Sequence, residues 1–177
     1  ASWFRLSPNG TDCSAVAPMD YSPTPKSIGH GATCTRDLED NYSVWLALDE
    51  LAQDVSHRMI ASECKTKAVH LYVKDNSFMY HEYVAPIHYP TQSAAIIAQA
   101  AYELFLLYYR WEKPVRALTI TASKLQDEKL PDQLDMFGDY LIFDKRNRLD
   151  RAIDDICNRF GKDAIFSACH CRRRTDL

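Results

Sequence analysis

The sequence lacks an apolar run long enough to cross a membrane, which takes about 20 consecutive apolar residues. It also lacks an initiator Met, and its start, Ala-Ser-Trp-Phe-Arg, is not the basic and then apolar beginning of a secretory signal. We therefore expect a cytoplasmic protein, and we interpret the chain as a fragment of a longer one. Its 177 residues allow one domain with a real core, plus an appendage.

The chain also lacks the paired cysteine spacing of a zinc ribbon. Because 46% of its residues are hydrophobic, a core can form without disulfides, and we predict reduced thiols. Cys169-His170-Cys171 is the one cluster that could hold a metal, but no second ligand pair lies at a suitable spacing, so we predict no metal site. The six cysteines are Cys13, Cys34, Cys64, Cys157, Cys169 and Cys171.

A net positive charge is absent as well, since the formal charge is −3 at pH 7. Proteins that coat nucleic acid without specificity are normally basic, so the total argues against that class. Basic residues are nevertheless clustered, which leaves room for local positive patches. The clusters are Lys65 with Lys67, then Lys145, Arg146, Arg148 and Arg151, and finally the tail Arg172-Arg173-Arg174.

One stretch, Lys26 to Cys34, has very few large side chains. It reads Lys-Ser-Ile-Gly-His-Gly-Ala-Thr-Cys and holds two of the chain's five glycines. In a strand, Ser27, Gly29, Gly31 and Thr33 would share one nearly bare face. Glycine weakens a strand, so such a face often marks a place where a ligand approaches the backbone, and a phosphate chain is a good candidate. A bulged or edge strand without a ligand is the alternative.

The hydrophobic periodicity predicts an α+β fold. Strands and helices follow in the order β-α-β-β-α-β, a split βαβ arrangement, and a further helix ends the chain. We therefore predict a four-stranded, mainly antiparallel sheet with two helices on one face and an additional C-terminal helix. The predicted strands are 26–34, 67–74, 78–84 and 115–123, and the predicted helices begin after Asp37–Asn41 and span 95–111 and 145–160.

Each predicted helix has an apolar stripe that should face inward. The acidic Asp37–Asn41 supplies the cap of the first helix, and Gly161 is a fitting stop for the last. The stripes are Val44, Leu48, Leu51, Val55 and Met59, then Ile97, Ala101, Leu104, Tyr108 and Trp111, and finally Leu149, Ile153, Ile156 and Phe160.

The sheet face opposite the helices should stay open. Its residues are mainly Gly, Ser, Thr, His, Tyr and Lys. Small and hydroxyl-bearing side chains suit a sheet that lies in a groove and donates hydrogen bonds to phosphate oxygens.

Several motifs, taken together and in this order, resemble the little-finger domain of Y-family translesion DNA polymerases of the DinB/UmuC (ImpB/MucB/SamB) type. The resemblance covers roughly residues 26–168. The motifs are Lys26-Ser27-Ile28-Gly29, Arg36-Asp37-Leu38, Lys67-Ala68-Val69-His70-Leu71, and the ending from Lys145 through Arg-Phe160-Gly161 to Ile165.

The same resemblance suggests a domain division. Residues 1–17 resemble the end of the preceding thumb domain. Residues 18–26 contain three prolines and should form an extended tether. Residues 27–177 would then be the little-finger domain.

The resemblance implies that the chain grips primer–template DNA during damage bypass. In that family the little finger lies against the duplex, and the carboxylates that bind Mg²⁺ lie in the palm. No palm is present, so the fragment should be inactive alone and need no cofactor. Asp49-Glu50 and Asp154-Asp155 lie on amphipathic helices, where adjacent acids point to different sides, so we expect no substitute catalytic pair.

The family role, carried onto this chain, predicts two sets of contacts with backbone phosphates. Many relatives have arginine where this chain has His30, so we expect a weaker positive charge at this position. The first set is Lys26, Ser27, Gly29, His30, Gly31, Thr33 and Arg36, and the second is Lys67, His70 and Lys74.

A second motif, Gln133-Leu134-Asp135-Met136-Phe137, is close to the Gln-Leu-x-Leu-Phe pattern by which bacterial polymerases hold the sliding clamp. It lies in a long polar connection and would present a glutamine and apolar anchors to a pocket. Alternatively, Leu134, Met136 and Phe137 pin the loop over the sheet.

Two other functions are alternatives to DNA gripping. In the first, the domain docks a replication protein through its open sheet or the Gln133 loop, and DNA binding is incidental. In the second, the chain is a freestanding ferredoxin-like enzyme, which would need a pocket with converging titratable groups, and the scattered histidines do not indicate one.

Overall fold

The computed structural model describes residues 25–130, 140–161, 164 and 165. Their element order is the predicted β-α-β-β-α-β and a final helix, with one added two-residue strand, so the predicted α+β fold is confirmed. The strands are β1 (Ser27–Leu38), β2 (Cys64–Asp75), β3 (Tyr80–Thr91), β4 (Val115–Ser123) and β5 (Gln126–Asp127), and the helices are α1 (Asn41–Ala61), α2 (Ala94–Tyr108) and α3 (Tyr140–Phe160).

The sheet has the strand order β1-β4-β2-β3, and all of its pairs are antiparallel. The central strands β4 and β2 bring Ala122 opposite Val69 and Ile120 opposite Leu71. Strand β5 pairs only with the start of β2. Strands β1 and β3 are therefore the edges of the four-stranded sheet.

Helices α1 and α2 cover one face of the sheet and form the core with it. The whole predicted stripe of α1, from Val44 to Met59, is at most 4% exposed. Asp40 caps this helix, because its carboxylate accepts a hydrogen bond of 2.8 Å from the Ser43 amide. The acidic segment before α1 therefore acts as predicted.

Helix α2 is shorter than predicted, and only part of its predicted apolar stripe is buried. Ile97, Ala101 and Leu104 are buried as expected. Tyr108 and Trp111 are 52% and 40% exposed, so their predicted inward placement is wrong. The helix ends at Tyr108, and the chain turns before Trp111 can continue the helical spacing.

Strand β3 is longer than the predicted 78–84 and contains Pro86 and Pro90. Proline has no amide hydrogen to donate, which normally excludes it from a sheet interior. Strand β3 is an edge strand, so its outward-facing positions need no partner. The edge position therefore explains why the strand continues through both prolines.

Helix α3 packs on the rest of the domain with only part of its predicted stripe, because Ile153 is half-buried while Ile156 is 36% exposed. Leu149 is 58% exposed and Phe160 is 76% exposed, so their predicted inward placement is wrong. Asn147 is instead only 9% exposed, and its carboxamide oxygen accepts hydrogen bonds from the Thr91 hydroxyl at 2.7 Å and the Gln92 amide at 3.2 Å. Polar contacts, together with the half-buried Phe143, whose ring centre lies 5.0 Å from that of Tyr89, hold this helix.

None of the helices in the described ranges combines the length and the apolar content needed to cross a membrane. The predicted thumb remnant and most of the tether lie outside the described residues, as do the Gln133–Phe137 motif and Cys169-His170-Cys171.

Candidate nucleic-acid interface

Alternate residues of the four long strands form a second sheet face, which we call the open face. The register places Gly29 opposite Thr121, Thr121 opposite His70, and His70 opposite Val84. The neighbouring rows follow the same alternation. The open face consists of Ser27, Gly29, Gly31 and Thr33 from β1, Ala117, Thr119, Thr121 and Ser123 from β4, Ala68, His70, Tyr72 and Lys74 from β2, and Tyr80, Glu82, Val84 and Pro86 from β3.

Small and polar side chains make up most of the open face. All of its residues except Ala68 are exposed or half-buried, whereas the alternate residues of the central strands are fully buried under α1 and α2. Six residues predicted to contact DNA meet on this one surface. They are Ser27, Gly29, Gly31, Thr33, His70 and Lys74.

The glycines of β1 have a packing partner that the sequence did not indicate. A Cβ atom built on Gly29 would lie 2.6 Å from the Thr121 Oγ1, and one on Gly31 would lie 3.0 Å from the Thr119 Cβ and nearer still to its hydroxyl. Such distances are too short for real atoms, so the threonines need the glycines beside them. The bare strand therefore makes room for a row of hydroxyls on β4.

His30 does not lie on the open face. It is paired in register with the buried Ile120, and its ring contacts helix α1. Its Nε2 is 3.3 Å from a carboxylate oxygen of Asp54, and its Nδ1 is 3.1 Å from the Arg58 guanidinium. The predicted contact of His30 with phosphate stays a prediction, and its placement argues against it.

Arg58 is a basic residue beside β1 that the sequence analysis missed. Its guanidinium is exposed and donates a hydrogen bond of 3.0 Å to the Gly29 carbonyl. Its only sequence signal was a basic residue in the last turn of α1.

Three lysines are next in sequence to the last paired row at one end of the sheet, and we call them the basic edge. Ser27, Ser123 and Ala68 form one row across β1, β4 and β2. Because neighbouring strands are antiparallel, the residues just beyond this row are Lys26, Lys124 and Lys67. All three are exposed. Lys26 and Lys67 were predicted contacts, and Lys124 was missed because only the strand register places it between them.

Arg36 lies in the irregular part of β1. The pairing of β1 with β4 shifts between Thr33 and Leu38, so the alternation that defines the open face ends before Arg36. Arg36 is exposed. The structure thus places this predicted contact beyond the regular rows.

The open face holds one carboxylate, Glu82, which lies on the edge strand β3. The His70 Nδ1 lies 3.0 Å from its Oε1, and the Tyr72 hydroxyl also bonds to it. These two hydrogen bonds, that of His70 first, hold the pKa of Glu82 below its ordinary value. The bond to Glu82 in turn raises the pKa of the Tyr72 phenol. The Glu82 carboxylate therefore engages one ring nitrogen of His70, a residue that was predicted to face phosphate.

Lys74 lies at the opposite end of the open face from the basic edge. Its ammonium is 4.7 Å from the centre of the Phe78 ring and 4.9 Å from the centre of the Tyr80 ring. Both distances are within the range of cation–π attraction. This predicted phosphate contact thus also organises two exposed aromatic rings.

Within the described part of the chain, no group of three or more His, Cys, Asp or Glu side chains is arranged to hold a metal ion. One acid of each pair considered as a catalytic site, Asp49-Glu50 and Asp154-Asp155, contacts a neighbouring side chain. Asp154 lies 2.5 Å from the His57 Nδ1, and Asp49 accepts a hydrogen bond from the Gln53 side chain at 3.0 Å. The open face and the basic edge present hydrogen-bond donors and positive charge to solvent.

Comparison with known proteins gives two kinds of relative. The DNA polymerase IV of Acetivibrio thermocellus is 34% identical over 153 residues, which are 86% of this chain and 38% of that protein. The DNA polymerase IV of Pelotomaculum thermopropionicum is 31% identical over 165 residues, which are 93% of this chain and 40% of that protein. The chain thus spans about two fifths of the length of these curated relatives.

Among solved structures, a Y-family DNA polymerase chimera matches with a TM-score of 0.52 at 10% sequence identity, over 71% of this chain and 35% of that one. This likeness concerns the fold alone. A family model described as the impB/mucB/samB family C-terminal domain matches residues 25–136, more than half of the chain. The resemblance seen in the motifs is thereby confirmed, and the chain belongs to the impB/mucB/samB C-terminal domain family, the little-finger domain of Y-family DNA polymerases.

Proposed function

We propose that this domain is a non-catalytic grip that holds the primer–template duplex of a translesion DNA polymerase during damage bypass. The observation that carries the proposal is the open face, a surface of small hydroxyl-bearing side chains with the three lysines of the basic edge at one end. Nucleotide addition, and the Mg²⁺ that it requires, would belong to other parts of the parent enzyme.

The chemistry of the open face suits a phosphate backbone better than base edges. Hydroxyls and lysines are common partners of phosphate oxygens, and such contacts position a duplex without reading its sequence. The glycines of the edge strand β1 leave room for the hydroxyls of Thr119 and Thr121, which can donate hydrogen bonds to phosphate oxygens. A polymerase that must pass damaged sites needs this indifference to sequence.

The proposal predicts binding that depends strongly on salt and little on sequence. Each phosphate neutralised by a lysine releases bound counterions, so the logarithm of the association constant falls with log salt at about −0.9 per contact. Fluorescence anisotropy of labelled primer–template at several salt concentrations measures this slope. Equal affinity at low and high salt would contradict phosphate contact.

Lys124 gives the sharpest single-residue test, because its role follows from strand register rather than from the family motif. Lys124→Ala should weaken binding to all duplex sequences alike and reduce the salt slope by about 1. Arg110→Ala is the matched control, since it removes one exposed positive charge from the loop between α2 and β4. If both variants lower the slope equally, total charge rather than the basic edge is responsible.

We also propose that Gln133-Leu134-Asp135-Met136-Phe137 contacts a sliding clamp. The support is the motif itself, a glutamine followed by apolar anchors. A pull-down with a bacterial clamp should lose most of its signal in Phe137→Ala and keep it in Phe160→Ala. Unchanged binding of Phe137→Ala would remove the motif from consideration.

The same pair of assays separates the proposal from its alternative, a protein-docking module with incidental DNA binding. A docking module would bind its protein partner at salt concentrations that abolish DNA binding, and Lys124→Ala would leave its partner binding unchanged. A duplex grip requires that Lys124→Ala weaken the DNA complex.

A further inference from the structure

The turn between β2 and β3 presents three large apolar residues to solvent, and we call them the aromatic tip. Phe78, Met79 and Tyr80 are 66%, 61% and 68% exposed. Large apolar side chains that are exposed together usually mark a surface that binds something.

The turn that carries the aromatic tip is firmly built. The Phe78 amide donates to the Asp75 carbonyl, and the Asp75 amide donates to the Met79 carbonyl, both at 3.1 Å. The buried Asp75 carboxylate accepts from the amides of Ser77 at 2.7 Å and Met79 at 3.0 Å. The apolar side chains are therefore held outward by a fixed backbone.

Phe78 occupies a backbone conformation that does not suit it. Its φ is +66°, in the left-handed region that bulky residues avoid. A hairpin that closes with this turn normally places glycine at the left-handed position, because glycine has no Cβ. A large aromatic residue at such a position is strained, and strain of this kind is concentrated at functional sites.

The position of the aromatic tip relative to the open face indicates what it contacts. Tyr80 belongs to the open face, in the same row as Lys74, Ala117 and Thr33. The tip is therefore continuous with the surface proposed to hold the duplex. Lys74, with its ammonium between the two rings, adds positive charge where a phosphate would pass.

We propose that the aromatic tip stacks on unpaired nucleobases of single-stranded DNA next to the duplex held by the open face. The inference rests on the proposed function for the location of the duplex. Aromatic side chains combined with a cation are the usual means of binding single strands without sequence preference, because every base has a π face. The open face would hold paired DNA through phosphates, and the tip would hold the adjoining unpaired bases by stacking.

The test uses the whole 177-residue chain and three DNA probes. These are a blunt duplex, the same duplex with a single-stranded overhang, and the free single strand. The last two carry 2-aminopurine, whose fluorescence is quenched by stacking. In the wild type we expect the overhang to increase affinity about fivefold or more, with 2-aminopurine quenched on both overhang and free strand.

Two variants and one control isolate the stacking. Phe78→Ala, a change outside the open face, should lose much of the overhang gain and of the quenching but keep blunt-duplex binding. Phe78→Leu keeps an apolar side chain and should still lose part of the quenching, which distinguishes stacking from general apolar contact. Phe160→Ala removes an equally exposed aromatic residue from α3 and should change neither signal.

The outcomes separate this inference from the duplex grip. If Phe78→Ala keeps the whole overhang gain and the quenching, the stacking inference is wrong while the grip stands. If the wild type binds no blunt duplex but still quenches the free strand through the tip, the grip is wrong while stacking stands. If the tip variants change only binding to another protein, the aromatic tip is a protein contact and the inference is overturned.

Discussion

Helices α1 and α3 each contain 21 residues, yet they dock on the domain in opposite ways. Helix α1 buries an apolar stripe that includes Leu48 and Val55, both 0% exposed. Helix α3 turns Leu149 and Phe160 to the outside and packs with Asn147, Asp150 and Arg151 inward.

The contacts of α3 explain this orientation. Arg151 donates a hydrogen bond of 3.2 Å to the Gln92 side chain and pairs with Glu128. Asp150 lies against Ser93 and the first amide of α2. The Asp150 carboxyl thus faces the start of α2, where the helix dipole favours a negative charge, but burial disfavours that charge more strongly. The comparison teaches that an amphipathic pattern predicts a helix without predicting which side of it packs.

The largest expected effect comes from the apolar contact of α1. Leu48→Ala should lower the free energy of unfolding by about 2–5 kcal/mol, because it removes a fully buried side chain and leaves a cavity. The matched change in α3, Leu149→Ala, should stay within about 0.5 kcal/mol. Chemical denaturation measures both. A comparable loss for Leu149→Ala would mean that the apolar stripe of α3 is covered and that the contrast between the helices is wrong.

The next largest effect comes from the polar contact of α3. Asn147→Ala leaves the Thr91 hydroxyl and the Gln92 amide buried without their acceptor, which should cost about 1–3 kcal/mol. Asn158→Ala is the control on the same helix, because Asn158 is exposed and its side chain donates a hydrogen bond of 2.9 Å to Asp154, one helical turn away. Hydrogen exchange of the α3 amides should report the loss directly. Equal protection in the two variants would show that polar contacts do not anchor the helix.

The smallest effect concerns the charge of Asp150. Burial raises the pKa of its carboxyl above the ordinary value, against the opposing influence of the neighbouring Ser93 side chain and Ala94 amide. A folded-state pKa above the unfolded one gives stability that is present at low pH and lost as the pH rises through the folded value. Asp150→Asn should therefore unfold less readily than the wild type at pH 7, with a smaller difference at pH 4. The nearby Asp49 and Arg146 also act on this carboxyl, the first raising and the second lowering its pKa.

Denaturation curves of wild type and Asp150→Asn at both pH values test the sign. A difference between the two proteins that does not change with pH would mean that Asp150 is not the group responsible. Asp154→Asn serves as a comparison, because Asp154 pairs with His57 rather than with the start of α2.

Much of the fold could be predicted from residue spacing. Period-two alternation in 115–123 predicted the bounds and the two faces of β4, since those depend only on neighbours along the chain. Strand β3 was predicted too short, because its prolines are tolerated only at an edge and the sequence does not say which strand is the edge.

The candidate site was predictable to a similar degree. The motif residues of β1 and β2 do share one surface, but His30 faces α1. Its neighbours Gly29 and Gly31 lie on the open face. Because successive side chains of a strand point to opposite faces, His30 lies on the face that α1 covers. Lys124 was missed because no local pattern distinguishes it from other exposed lysines.

The sequence by itself determined the order of strands and helices, the two faces of the central strands, and the family. These features depend on side-chain spacing and motif order, which follow from the order of residues along the chain. Only the tertiary structure decided which side of α3 packs and which lysines stand together at the basic edge. Both depend on contacts between residues far apart in sequence, where register and buried hydrogen bonds select one arrangement among several that the local pattern allows.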